Sequence, residues 1–186
     1  MGRIRSAMGL ALVVVAGLAS AATAALDITL VRFGDGMHIV GRDIPARTYR
    51  AAGSGDDCYW ARLRNFSGSL NSIIANGNTS GPEVVTIKSG DRGFESNRCG
   101  TWTSDLRRIT RSRTRFGPGT YIVGTDVAPG TYTARGSGCY WARVRAFTGD
   151  LNAIIANGNA SGRVIVTISR SDRGFQSSRC GTWSRV

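Results

Sequence analysis

The chain contains itself twice. Cys58-Tyr59-Trp60-Ala61-Arg62 returns as Cys139-Tyr140-Trp141-Ala142-Arg143, and Cys99-Gly100-Thr101-Trp102 returns as Cys180-Gly181-Thr182-Trp183, both displaced by 81 residues. Between these anchors Ile73-Ile74-Ala75-Asn76-Gly77-Asn78 and Asp91-Arg92-Gly93-Phe94 also recur, and 31 of the 45 positions in 58–102 and 139–183 are identical. Upstream, Ile39-Val40-Gly41 matches Ile122-Val123-Gly124 at a displacement of 83, because Asp56-Asp57 is inserted before the first cysteine. Such a period has to be read before any single element. It predicts two copies of one module, at residues 33–103 and 116–186, joined by a linker over 104–115. A length of 186 residues accommodates both copies and excludes a large multidomain enzyme.

Within each copy, short apolar runs alternate with Gly, Asn, Asp and Ser clusters, and no stretch keeps a helical period. The expected strands of the first copy are 37–40, 48–52, 59–64, 72–75, 83–88 and 93–96, with equivalents in the second. Asn76-Gly77 and Asn157-Gly158 read as tight turns, since Asn and Gly tolerate positive φ. The fold class is all-β: two tandem small antiparallel β-sandwich or barrel modules.

Residues 1–24 read as a secretory signal: Arg3 and Arg5, an apolar run over 8–19, then Ala22-Thr23-Ala24 as a small-x-small cleavage pattern. The run is shorter than the roughly 20 residues of a membrane span. The mature chain is therefore expected to be secreted, extracellular or wall-associated, with no stable membrane insertion. In an oxidising compartment, two cysteines per small module read as a staple. Four cysteines allow three pairings; the repeat favours Cys58–Cys99 and Cys139–Cys180, one bridge inside each copy. Zinc is disfavoured, because no CxxC spacing and no duplicated histidine are present, and neither a metal nor a cofactor is expected.

Without the leader, the formal charge of +12 becomes +10. Residues 25–103 hold nine basic and eight acidic groups, the linker five arginines and one aspartate, and residues 116–186 eight basic and three acidic groups. The excess is thus concentrated in the linker, through Arg107, Arg108, Arg111, Arg113 and Arg115, and in the second copy. These five arginines are the candidate contacts for a polyanion, against the plainer reading of a solvated charged segment.

Catalytic chemistry finds little support. His38 is the only histidine, so any arrangement that needs one exists at most once. The carboxylates kept in both copies, Asp91 with Asp172 and Asp43 with Asp126, stand beside turn formers, where Asp ordinarily caps backbone N–H groups. The chain is read as a non-enzyme with no catalytic residues. Asp56-Asp57 and Asp150 with Asn152 offer oxygens for calcium but match no EF-hand loop.

Both copies keep an aromatic and arginine set on one strand. Alternation puts Tyr59, Ala61 and Leu63 on one face and Trp60, Arg62 and Arg64 on the other. The second face, with Trp141, Arg143 and Arg145, is the candidate ligand-binding patch: the indole offers a stacking face and the guanidinium a planar fork for carboxylate or phosphate. The competing reading makes the tryptophans core.

The string Cys-Tyr-Trp-Ala-Arg, Ile-Ile-Ala-Asn-Gly-Asn, Val-Thr-Ile, Asp-Arg-Gly-Phe, Cys-Gly-Thr-Trp resembles a duplicated module of secreted and lipid-anchored proteins of high-GC Gram-positive bacteria. The resemblance spans both copies and implies an envelope or extracellular location, while implying no activity. Two functions follow from the residues: a binding or envelope-associated protein, bivalent for an anionic cell-wall polymer or polysaccharide, or a small stapled inhibitor or effector acting on a protein partner. Secretion disfavours nucleic acid as the ligand.

Overall fold

The computed structural model describes residue 2 and residues 29–53 and 57–186; apart from residue 2, the expected signal segment lies outside the described residues. The first copy forms β1 (Arg32–Phe33), β2 (Gly36–Ile39), β3 (Thr48–Ala51), β4 (Cys58–Leu63), β5 (Ile73–Thr79), β6 (Glu83–Thr86), β7 (Gly93–Asn97) and β8 (Trp102–Thr103). They make two four-stranded antiparallel sheets, ordered β1-β8-β3-β6 and β2-β7-β4-β5. Among the described residues no α-helix forms, as the strand periodicity predicts.

The second copy reuses the plan with fewer breaks. Its strands are β9 (Arg115–Phe116), β10 (Gly119–Ile122), β11 (Gly130–Val144), β12 (Ile154–Ile168), β13 (Gly174–Ser178) and β14 (Trp183–Arg185). Strand β11 follows the course of β3 and β4 in one run, β12 that of β5 and β6, and all six strands join one sheet. Two sequence differences account for this. In sequence, Asp56-Asp57 is inserted between Ala51 at the end of β3 and Cys58 at the start of β4, and Pro82, with its fixed φ, stands between β5 and β6 where the second copy has Arg163 inside β12.

Each copy is stapled within itself, Cys58 to Cys99 and Cys139 to Cys180. Around the first bridge pack Tyr49, Phe94 and Trp102; around the second pack Tyr132, Phe175 and Trp183. In both, the buried indole N–H donates to a serine, Trp102 to Ser96 Oγ at 3.0 Å and Trp183 to Ser177 Oγ at 2.8 Å.

The Asn-Gly dipeptides are not turns. Asn76-Gly77 lies inside β5 and Asn157-Gly158 inside β12, where Gly77 faces Trp60 and Gly158 faces Trp141 across the ladder. A Cβ on Gly77 would fall 2.8 Å from Trp60 Nε1. The glycine is there to let an indole lie flat on the neighbouring strand.

The two copies and the segment between them are in contact. A third apolar cluster joins Val84 of the first copy to Ala142, Val144 and Phe147 of the second. Backbone bonds cross the same seam, Thr120 N–H to Pro82 O at 2.7 Å and Thr86 N–H to Phe147 O at 2.8 Å. Arg50 reaches Asp126 with two hydrogen bonds of 3.0 and 2.6 Å, both side chains buried. The linker is tied to the same point: Ile109 N–H donates to Asp126 Oδ1, Thr110 Oγ1 to Asp126 O, and Arg107 O accepts from Arg50. Arg115 lies in β9, paired with Ser184, and belongs to the second copy's sheet.

Candidate functional site

The strand face expected to carry a ligand patch is turned inward in the first copy. Trp60 and Arg62 are both buried. The Arg62 guanidinium holds Asp91 through Nε at 2.7 Å and Nη2 at 2.8 Å, and its third nitrogen donates to Thr148 O of the second copy at 2.5 Å. Asp91 does cap a turn, accepting from Lys88 N–H at 2.8 Å, while also neutralising the arginine. The same lock recurs as Arg143 on Asp172, with Ser169 N–H capped, but Arg143 keeps part of its surface. A bidentate, buried pair of this kind is structural. Of the six patch residues, only Arg64 and Arg145 are exposed, and Trp141 is half-buried.

Trp60 sits at the edge of a cleft of about 300 Å³ between the copies, whose polar lining includes Asn76, Asn78, Tyr140, Asp150 and Gln176. At its floor lies Glu83. Burial pushes the Glu83 carboxyl up to about 7, against hydrogen bonds from the Thr120 hydroxyl and the Val84 N–H. The Trp60 indole N–H points toward the same carboxyl but finds no acceptor at hydrogen-bonding geometry. Asp150 on the rim is held below the usual carboxylate range, chiefly by its hydrogen bond from Lys88 Nζ at 2.7 Å.

A second concavity on the seam, about 590 Å³, is basic. Arg145, Arg170 and Arg173 line it with Thr48, Thr125, Phe147 and Asp172, whose carboxylate is held by Arg143, and all three arginines are exposed. Among the described residues none of the three has an acidic partner within ion-pair distance. The linker arginines are placed elsewhere. Arg107 is spent on Asp105, Arg113 donates to Gly124 O, Arg107 and Arg108 edge one small groove, and Arg111 and Arg115 another. No group of three or more His, Cys, Asp or Glu with metal-binding geometry occurs among the described residues.

Three residues that matter here escaped the repeat-based reading: Arg50, Glu83 and Arg170. Each is a position where the copies differ, facing Thr133, Val164 and Ser89 in the alignment. That was the available signal. A duplicated surface has to diverge where one copy turns its face to the other.

A disulfide-stapled, duplicated all-β chain of this kind is an extracellular domain protein. The family described as Rv1352-like extracellular domain matches it twice, over residues 31–103 and 113–184, and the chain belongs to that family. Comparison with curated proteins and with solved structures returned no match. Among the described residues no helix is long and apolar enough to cross a membrane.

Proposed function

We propose that this extracellular protein is a non-enzymatic binding module for an anionic cell-envelope polymer or polysaccharide, held along the basic groove at the seam. The observation carrying this reading is the convergence of Arg145, Arg170 and Arg173 on one concave surface without acidic partners. Unpaired guanidinium groups on a groove wall recognise carboxylate or phosphodiester oxygens by paired N–H donors. A non-enzymatic role is supported by the carboxylates common to both copies: Asp91, Asp172 and Asp126 are held by arginines, and Asp43 by Arg42 and the Ile39 N–H.

The test is retention of residues 25–186 on immobilised polyuronate and on a phosphodiester polymer, at two salt concentrations. Retention should fall steeply with salt, and replacing Arg145, Arg170 and Arg173 by Ser should abolish most of it while leaving the melting temperature in place, because exposed charges add little to stability. Replacing Arg107 and Arg108 should matter less. Unchanged retention in the triple variant would remove this reading in favour of a protein partner.

A further inference from the structure

The seam between the copies is a head-to-tail contact. The first copy contributes its β5–β6 side, with Trp60 and Val84; the second contributes β10 and the loop after β11, with Thr120, Phe147 and Gly149. These are different parts of the repeat, so the contact is heterologous and uses up only one of each surface. The second copy still carries its own β5–β6 equivalent, and the first copy still carries its own β10 equivalent.

Both unused surfaces are apolar where their counterparts are buried. Val84 is 1% exposed and its counterpart Ile165 is 56% exposed. Phe147 is 7% exposed and Phe66 46%; Thr120 is 4% exposed and Met37 54%. Phe66 keeps the shape of its buried twin, seated on Gly93 as Phe147 is seated on Gly174. The glycines repeat the pattern. Gly81 is pressed against Pro118 O and Gly149 against Trp60, whereas Gly162 and Gly68 face open space.

The backbone is matched as well. At the seam, β6 and β10 are both edge strands of their sheets; at the free ends, the edges are β12 and β2. The two seam bonds, from Thr120 N–H and Thr86 N–H, have counterparts in Met37 N–H with Arg163 O and Thr167 N–H with Phe66 O. An unpaired edge flanked by exposed apolar side chains is a template for a further strand edge.

We infer that the free β12 face of one molecule docks on the free β2–Phe66 face of a second copy of this chain, continuing the internal seam as an open head-to-tail array. Substitutions at the seam positions set its strength. Val164 replaces the buried Glu83, which makes the face more apolar, while Thr133 replaces Arg50, and Ser169 and Ser69 replace Lys88 and Asp150, so these ion pairs of the internal seam have no counterpart. The contact between molecules is therefore weaker than the one within, and reversible with concentration.

Sedimentation of residues 25–186 from low micromolar to millimolar concentration should show mass rising without a closed end point. Ile165→Asp blocks one face and Met37→Asp the other, and both side chains are exposed, so both variants should melt like the parent chain. Each alone should stay monomeric. Mixed, they retain one intact face of each kind and should give a dimer that grows no further. A parent chain that remains monomeric at millimolar concentration overturns the inference, as does a mixture of variants that fails to pair. A two-fold dimer abolished by either substitution and not restored by mixing overturns it too. Phe66→Ser serves as the second block if Met37→Asp does not fold.

Discussion

Arg50 in the first copy and Asp126 in the second, 76 residues apart, form a bidentate ion pair from which water is excluded. Asp126 also accepts from Ile122 N–H and Ile109 N–H, so one carboxylate ties together both copies and the segment between them.

Removing one partner of such a pair leaves a bare charge in the interior. Arg50→Ala should destabilise the chain by about 3–5 kcal/mol in chemical denaturation. It should also split the unfolding transition, since the copies lose their common fastening. A shift of less than about 1 kcal/mol with one transition retained would show that the Arg50–Asp126 pair adds little to the seam.

The two tryptophans of the repeated Cys-Tyr-Trp motif should behave differently. Trp60 is buried between the first core and Gly149, and Trp60→Ala should cost about 3–5 kcal/mol. Trp141 has no second copy above it, and Trp141→Ala should cost distinctly less. Gly77→Ala, which sets a methyl against the Trp60 indole, should cost about 1–3 kcal/mol as overpacking.

Glu83 gives the seam a pH dependence. Its ordinary value of 4.5 is raised by burial to about 7, so the folded chain binds a proton that the unfolded chain has released. The protonated form is the one the interior favours, and stability from this group falls as pH rises from 4.5 through 7. Melting temperatures across that window should decline for the parent chain, and Glu83→Gln should flatten the decline. An unchanged slope would show that Glu83 ionises freely.

Each bridge staples its own copy. Cys139→Ser with Cys180→Ser should lower stability by about 2–5 kcal/mol, and peptide mapping without reductant should recover Cys58 with Cys99 in that variant.

The repeat makes the duplication, the strand class and both disulfides readable in the sequence. What it hid was everything that depends on the contact between copies. Arg62 looked like a surface cation because strand alternation reports only which face a residue occupies, and the Thr148 carbonyl that covers it comes from 86 residues away. Asn76-Gly77 carries a strong turn signal in isolation, and the Trp60 ring opposite overrides it. The basic groove is half legible: Arg145 stands out as a repeated residue, but Arg170 belongs to the second copy alone, and averaging over the repeat discards it.

Two neighbouring copies this similar face a hazard while folding, because a hairpin from one can pair into the sheet of the other. Pro82 and the Asp56-Asp57 insertion answer it. The first hairpin is interrupted on both strands and the second is continuous over 15 residues on each. A strand of β11 length placed in the first copy meets a partner that is broken around Pro82, and a broken strand placed in the second leaves the long partner unpaired at its middle. The interruption thus acts as an address, directing each hairpin to its own half of the chain.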